Sequence, residues 1–263
     1  MKTTKRYFYL LLTGVMAFAT VLPAMAQKER NEYLIKSEKN GWEFEVKAGV
    51  NIGGAAPLPM PREIRKIKSY NPKFNGTVEG VVTHWFHNGN WGLSGGLKFE
   101  EKGMETGANV KNYHTEVTYG DQKVEGYFTG YNKTEYNETF ITIPVMINYR
   151  FNKAWKVRAG LSCSLRLDGE FSGYVSDGYL RNGTPTGERI TFGEGSTASF
   201  DFSDRLQDVQ WNAMLGASWR AYKHFSLSAD LSWGLKDIFS RSFKTISFDL
   251  YPIYLNIGFG YTF

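Results

Sequence analysis

The sequence predicts an all-β chain whose strands close into an eight-stranded antiparallel up-and-down transmembrane barrel, with short periplasmic turns and four long extracellular loops. Three observations carry that expectation. Apolar residues recur at every second position in segment after segment, the period of a strand with one apolar face. The chain is 42% hydrophobic and 16% aromatic, yet its mean hydropathy is only −0.38, which fits a barrel because only alternate residues need be apolar. Short and long connections also alternate along the chain, as they do where one end of a barrel faces the periplasm and the other the outside.

The first element is a targeting segment. Lys2, Lys5 and Arg6 precede a largely apolar stretch from Tyr7 to Leu22, and Pro23-Ala24-Met25-Ala26 offers an A-x-A exit before Gln27. Residues 1–26 therefore read as a secretory signal peptide, 27–40 as a periplasmic N-terminal segment and 41–263 as the barrel. The alternative, a membrane anchor, wants a longer apolar run. Removing the three basic residues of the signal from the 31 in the chain leaves 28 against 26 acidic ones, a net charge of +2. The pI near 9.0 is thus no sign of nucleic-acid binding, which needs a concentrated basic face. A single cysteine, Cys163, excludes an internal disulfide framework.

The strands follow in order. Phe44, Val46, Ala48, Val50 and Ile52 make the first apolar face. The stretch Thr77 to Phe86 is the least clean, because Val81 and Val82 are both apolar. Trp91, Leu93, Leu97 and Phe99 form a shorter face, and Ile141, Ile143, Val145, Ile147, Tyr149 and Phe151 a longer one. Pro144 inside that strand removes a ladder bond, so a bulge is expected there. Alternation resumes from Trp155 to Leu167, from Trp211 to Trp219, from Phe225 to Leu235 and from Tyr251 to Phe263. The short connections are His87–Asn90, Asn152–Ala154 and Ala221–His224; the long ones run over 54–75, 102–138, 169–206 and 237–249. A soluble sandwich or lipocalin-like barrel would show the same alternation with its apolar face turned inward. Aromatics at the strand ends and the asymmetry of the connections favour the membrane barrel.

With the apolar face outward, the interior holds a charge network: Glu45, Lys47, Lys98, Glu100, Arg150, Arg158, Arg166, Asp168, Arg220, Asp230 and Lys236. Eight strands leave an interior just wide enough for side chains, so paired charges filling it are expected rather than a pore. Catalysis needs a nucleophile, a base and an orienting acid within reach of each other, and His84, His87, His114 and His224 show no spacing that singles out such partners. No Cys/His cluster suggests a metal, and neither cofactor nor enzymatic activity is expected. In the first long loop, Arg62, Arg65, Lys66 and Lys68 are candidates to meet lipopolysaccharide phosphates at the outer rim, against the plainer reading of a solvated loop. The second and third loops are rich in Tyr, Gly, Asn and Thr, a composition suited to recognising a surface ligand or protein partner.

The segments VKAGVNIGG, PLPMPREIRKI, WGLSGGLKFEEKGM, ITIPVMINYRF, WKVRAGLSCS and YPIYLNIGFGYTF resemble the PorT-type family of outer-membrane β-barrel domain proteins over nearly all of the mature chain. That resemblance implies an integral barrel in the outer membrane of a Gram-negative cell, in some members linked to type IX secretion, with no functional residue to transfer. It also implies that the terminal Tyr261 and Phe263 are the signal read by the barrel insertion machinery. The function expected is non-enzymatic display of surface loops for ligand or partner binding. The alternatives are a structural or secretion-assembly role and, third, a lipid-modifying barrel enzyme.

Overall fold

The computed structural model describes residues 41–263 except 87–89, 121 and 153, together with the backbone but not the side chains of 193 and 194. The expected signal peptide, the 27–40 segment and His87 lie outside the described residues. Ten strands follow one another: β1 (Trp42–Pro57), β2 (Ile64–Asn71), β3 (Asn75–Trp85), β4 (Trp91–Tyr119), β5 (Gln122–Arg150), β6 (Trp155–Asn182), β7 (Arg189–Asp201), β8 (Val209–Tyr222), β9 (Phe225–Gly234) and β10 (Leu250–Thr262). Eight of them close a ring. β1 pairs with β3, β3 with β4, β4 with β5, β5 with β6, β6 with β8, β8 with β9, β9 with β10, and β10 with β1, every pair antiparallel. The amide of Phe263 donates to the carbonyl of Phe44 at 2.9 Å and completes the closure beside the last paired residues. A closed ring leaves no edge, so the backbone groups are satisfied within it.

Side chains alternate across this ring as the pleat requires. Phe44, Val46, Leu93, Leu97, Ile143, Val145, Leu161, Leu215, Leu227 and Phe259 are exposed on its outer surface. Trp42, Trp91, Trp155 and Trp219 stand toward the short-turn end, and Trp211 and Trp233 toward the other. The ambiguous strand resolves cleanly: Thr77, Glu79, Val81 and Thr83 point inward and Val82 outward.

Two expectations need correction. The second and third long connections are not loops: β4, β5 and β6 run unbroken for 29, 29 and 28 residues, far beyond the outward apolar belt. β2 pairs with the upper part of β4, and β7 with β6 and, at Thr118–Ser199, with β4. This extended end has an apolar core of its own. Phe128, Val175, Leu180, Phe171, Phe239 and Val117 are buried in it, each aromatic or aliphatic side chain contributing about 1.5–3 kcal/mol of burial. The 237–249 segment folds down onto that core, with Phe239 4.8 Å from Phe171 and 4.7 Å from Phe243 between ring centres. The bulge expected at Pro144 is also absent. Pro144 faces Ser162 in register, and on its other side pairing simply lapses across Gly96 and Leu97, resuming at Lys98–Thr142 with the register intact. The missing amide costs a local stretch of ladder rather than an inserted residue.

Candidate functional site

The interior of the ring is polar and filled. Lys47 Nζ lies 2.8 Å from Glu79, and Lys98 Nζ 2.7 Å from Glu100, whose other oxygen takes Lys102 at 3.2 Å. Lys156 bridges Glu43 at 2.9 Å and Glu45 at 3.0 Å. Arg158 engages Asp230 with two parallel bonds, Nε to Oδ1 at 2.5 Å and Nη2 to Oδ2. A chain of hydrogen bonds runs from Glu100 through Thr142 and Ser164 to Asn212 and Ser162, and Asn148 donates separately to Ser94. Each of these acids has a basic nitrogen within 3.2 Å, and a buried charge so paired is held rather than left orphaned.

Glu45, Lys47, Lys98, Arg158 and Asp230 are therefore brought together in the interior. Arg150, Arg166 and Arg220 sit half-buried at its two ends: Arg150 lies 4.3 Å over the Trp85 ring, Arg220 bonds Glu43 at 3.2 Å, and Arg166 bonds Asp208 at 2.5 Å. Asp168 and Lys236 are exposed and do not join them. A bulge between Thr139 and Phe140 inserts a residue into the β6 side and turns Asp168 away. Lys236 lies beyond Gly234, where β9 ends and alternation no longer sets direction. Sequence reasoning missed Glu43, Glu79, Lys102 and Lys156. Glu43 and Lys156 continue the inward register of Glu45 and Arg158, a signal that was there to use.

Beyond the belt, whose outward apolar residues on β5 run from Ile141 to Tyr149, lies a buried polar cluster. The Tyr136 hydroxyl and Gln210 Nε2 both donate to Glu138 Oε2, the latter at 3.0 Å. Glu138 Oε1, Gln210 Oε1 and the Tyr254 hydroxyl are buried without a hydrogen-bond partner. Burial pushes the Glu138 carboxyl up to about 7, against the opposing pull of those two donors and of Lys102 and Arg166.

Above this cluster is a cavity of about 450 Å³, inside the range of small-molecule sites, roughly 300–1,000 Å³. Met104, Ala108, Val110, Ile64, Phe248 and Leu250 make its apolar wall. Asn132 and Thr134 are among its few polar residues, and Asn132 Oδ1 is buried with no hydrogen-bond partner. β2 is amphipathic across this wall. Ile64, Ile67 and Tyr70 face the cavity, whereas Arg65 and Lys68 face a separate shallow recess with Lys111 and Asp177. Arg62, Arg65, Lys66 and Lys68 are all exposed, and among the described residues none of the four is in an ion pair.

A family model described as outer membrane protein beta-barrel domain matches residues 25–240. The chain belongs to that family. It is an integral β-barrel of the Gram-negative outer membrane, and the outward apolar belt of its ring is lipid-facing. A comparison with curated proteins finds no match. Among solved structures the barrel is similar to Ail, the attachment invasion locus protein of Yersinia pestis, at 12% identity and a TM-score of 0.38, covering 84% of this chain and 98% of that one. It is also similar to Neisserial surface protein A, at 10% identity and 0.33 over 85% and 97%, and to the outer membrane protease OmpT from Escherichia coli, at 13% and 0.30 over 85% and 94%.

The histidines of the barrel are dispersed. His84 packs 4.6 Å from Trp42 between ring centres, His224 Nδ1 meets the Thr262 carbonyl at 2.8 Å, and His114 Nδ1 meets the Thr245 carbonyl at 2.9 Å with Glu125 3.6 Å from its other nitrogen. Among the described residues no group of three or more His, Cys, Asp or Glu is placed to hold a metal ion. Tyr261 and Phe263 pack edge to face at 5.1 Å on the outer surface of the closing strand.

Proposed function

We propose that this barrel is a non-enzymatic surface protein that holds a ligand in its extended end, with the short turns in the periplasm and the extended end outside the cell. The observation that carries the reading is the 450 Å³ apolar cavity, left open within an otherwise packed core. Interiors of this kind are close-packed, so a void of such size is a built feature rather than slack. The filled ring supports binding over transport, since ion pairs occupy the path a solute would take. The scattered histidines support a binder over a lipid-modifying enzyme.

Two partners belong to the same reading. Arg62, Arg65, Lys66 and Lys68, on the free face of the first long connection, pair with lipopolysaccharide phosphates in the surrounding leaflet. Tyr261 and Phe263 serve the insertion machinery, and the PorT-type likeness of the sequence sits well with such a barrel. Isolation of the tagged protein from detergent-solubilised outer membranes, with mass spectrometry of everything retained, tests the proposal. A small molecule or lipid held by the wild type and released by Ala108→Trp, which fills the cavity, is the expected result. A stoichiometric protein partner with no bound molecule would instead favour the secretion-assembly role and sink the ligand site.

A further inference from the structure

The cavity opens between β1 and β2, at the upper edge of the outward apolar belt. β1 and β3 stay paired only as far as Asn51 and Asn75. Past that point β1 continues to Pro57 beside β10, while β4 takes β2 as its neighbour. β2 is the terminal strand of the sheet and pairs with nothing on its other edge among the described residues. The end of β1 and the free edge of β2 therefore confront each other across a seam. It is bridged by the Tyr70 hydroxyl, which donates to the Gly53 carbonyl at 2.8 Å.

The seam is continuous with the lipid-facing surface. Gly54 pairs with Ile253, and Ile52 with Leu255, so Gly54 and Ile253 carry on the outward register of two exposed belt residues while lining the cavity. Apolar side chains gather at the mouth. Leu58, Met60 and Ile67 line it and are exposed, Met60 by 58%. In water a cluster of this kind is unfavourable; against hydrocarbon it costs nothing. The throat is narrow: a Cβ on Gly54 would stand 2.3 Å from the Met104 sulfur.

We propose that the cavity takes a single acyl chain of a membrane lipid, which slips in sideways through the seam between β1 and β2 while its head stays at the membrane surface. The inference rests on the reading of the extended end as a ligand site, and it names the ligand class and the route. A long, thin, flexible, apolar ligand matches a slot walled by Met, Ala, Val, Ile and Leu side chains. Asn132 Oδ1, an acceptor without a donor, offers a bond to any hydroxyl the chain carries.

The test uses the full chain in phospholipid vesicles containing a phospholipid with a photoactivatable diazirine on one acyl chain. After irradiation, adducts are mapped by peptide mass spectrometry. Adducts are expected on Met104 and its neighbours, which are buried from the bilayer, as well as on the belt. Excess palmitate should reduce the Met104 adducts by about tenfold or more and leave the belt adducts unchanged. Ala108→Trp should abolish them by filling the slot, and Met60→Glu, at an exposed position, should weaken them by charging the mouth. Adducts confined to Leu255, Ile257 and Phe259 on a correctly folded barrel would overturn the inference. If native isolation still returns a water-soluble molecule released by Ala108→Trp, the ligand site survives and only the acyl chain is wrong. If no molecule is found, both fall.

Discussion

Replacing Arg158 by methionine strands the Asp230 carboxylate in the ring interior. The two residues sit on β6 and β9 with Gly216 of β8 between them in the same cross-strand row. A Cβ on Gly216 would lie 1.8 Å from Asp230 Oδ1, so the pair spans a strand that has been cleared for it. Both partners are buried, with side-chain exposures of 4% and 6%. Removing one partner of such a pair costs about 3–5 kcal/mol, of which much is the uncompensated charge left behind. At about 1.4 kcal/mol per tenfold, the folding equilibrium shifts by roughly a hundred- to several-thousand-fold. The double variant Arg158→Met/Asp230→Leu should recover most of that loss, because apolar replacement of both partners is often neutral or better. Urea unfolding of vesicle-inserted protein, followed by loss of the fast-migrating band on unheated gels, gives each value, and the cycle isolates the coupling. A loss under about 1 kcal/mol for Arg158→Met, the size seen for exposed pairs, would refute the reasoning. The interior would then be wet, and the filled ring could no longer be set against a conducting path.

Other predictions follow from the same geometry. Leu215 is 62% exposed midway between Trp211 and Trp219, and Leu215→Arg should destabilise the inserted barrel by about 2–4 kcal/mol, read by the same urea titration. Glu138 has its carboxyl raised to about 7 by burial, above its ordinary value of 4.5, so the folded state binds its proton more tightly than the unfolded state. Stability should therefore fall as pH rises from about 4.5 to about 7 and level off above, and Glu138→Gln should flatten that slope in unfolding curves taken across the window. Gly216→Ala should cost stability in the wild type and far less in an Arg158→Met/Asp230→Ala background, where the side chain it would strike is gone. Planar bilayers carrying the purified barrel should show no stepwise conductance; regular open steps would contradict a ring filled by Lys156, Arg158, Glu45 and Asp230.

The ring was legible because its environment is simple. Lipid on one side and ion pairs on the other force strict alternation, and from Phe225 to Leu235 the sequence reads as apolar out, polar in, residue by residue. The extended end gave no such signal. Along β4, Glu105, Thr106, Gly107, Asn109 and Lys111 meet neither lipid nor a uniform core, and β2 carries Arg65, Lys66 and Lys68 on a strand that reads as a polar loop. Its aromatic core is assembled from residues as distant as Phe128, Phe171, Phe202 and Phe239, and no local pattern announces that they meet. The charge network was partly readable for the opposite reason: once the outward face is known, inward residues follow by parity. It failed where parity fails, at the Thr139/Phe140 bulge beside Asp168 and past the end of β9 at Lys236. The cavity was out of reach altogether, since it depends on β1 and β3 parting at Asn51 and on β2 taking over beside β4.

That parting of strands links the two halves of the molecule. A ring of eight strands has room for side chains and little else, so a ligand site cannot lie along its axis. Space is gained only where the ring stops being a ring, and here that happens where β3 begins, at Asn75. Below that point the eight strands form a closed ring and its interior is bridged by Lys156–Glu45, Lys47–Glu79 and Arg158–Asp230. Above it, one edge each of β1 and β2 is released, Gly53 and Gly54 replace bulkier residues, and the wall turns from charged to apolar within a few positions, from Lys102 to Met104. A rigid, ion-paired base of this kind keeps a partly opened strand pair from unravelling further, because slippage below Asn75 would move Glu79 and Thr77 out of the interior, taking Glu79 from Lys47 and one of two hydrogen bonds from Asn256. The interior charges thus have a role beyond filling space: they fix the register on which the opening above them depends.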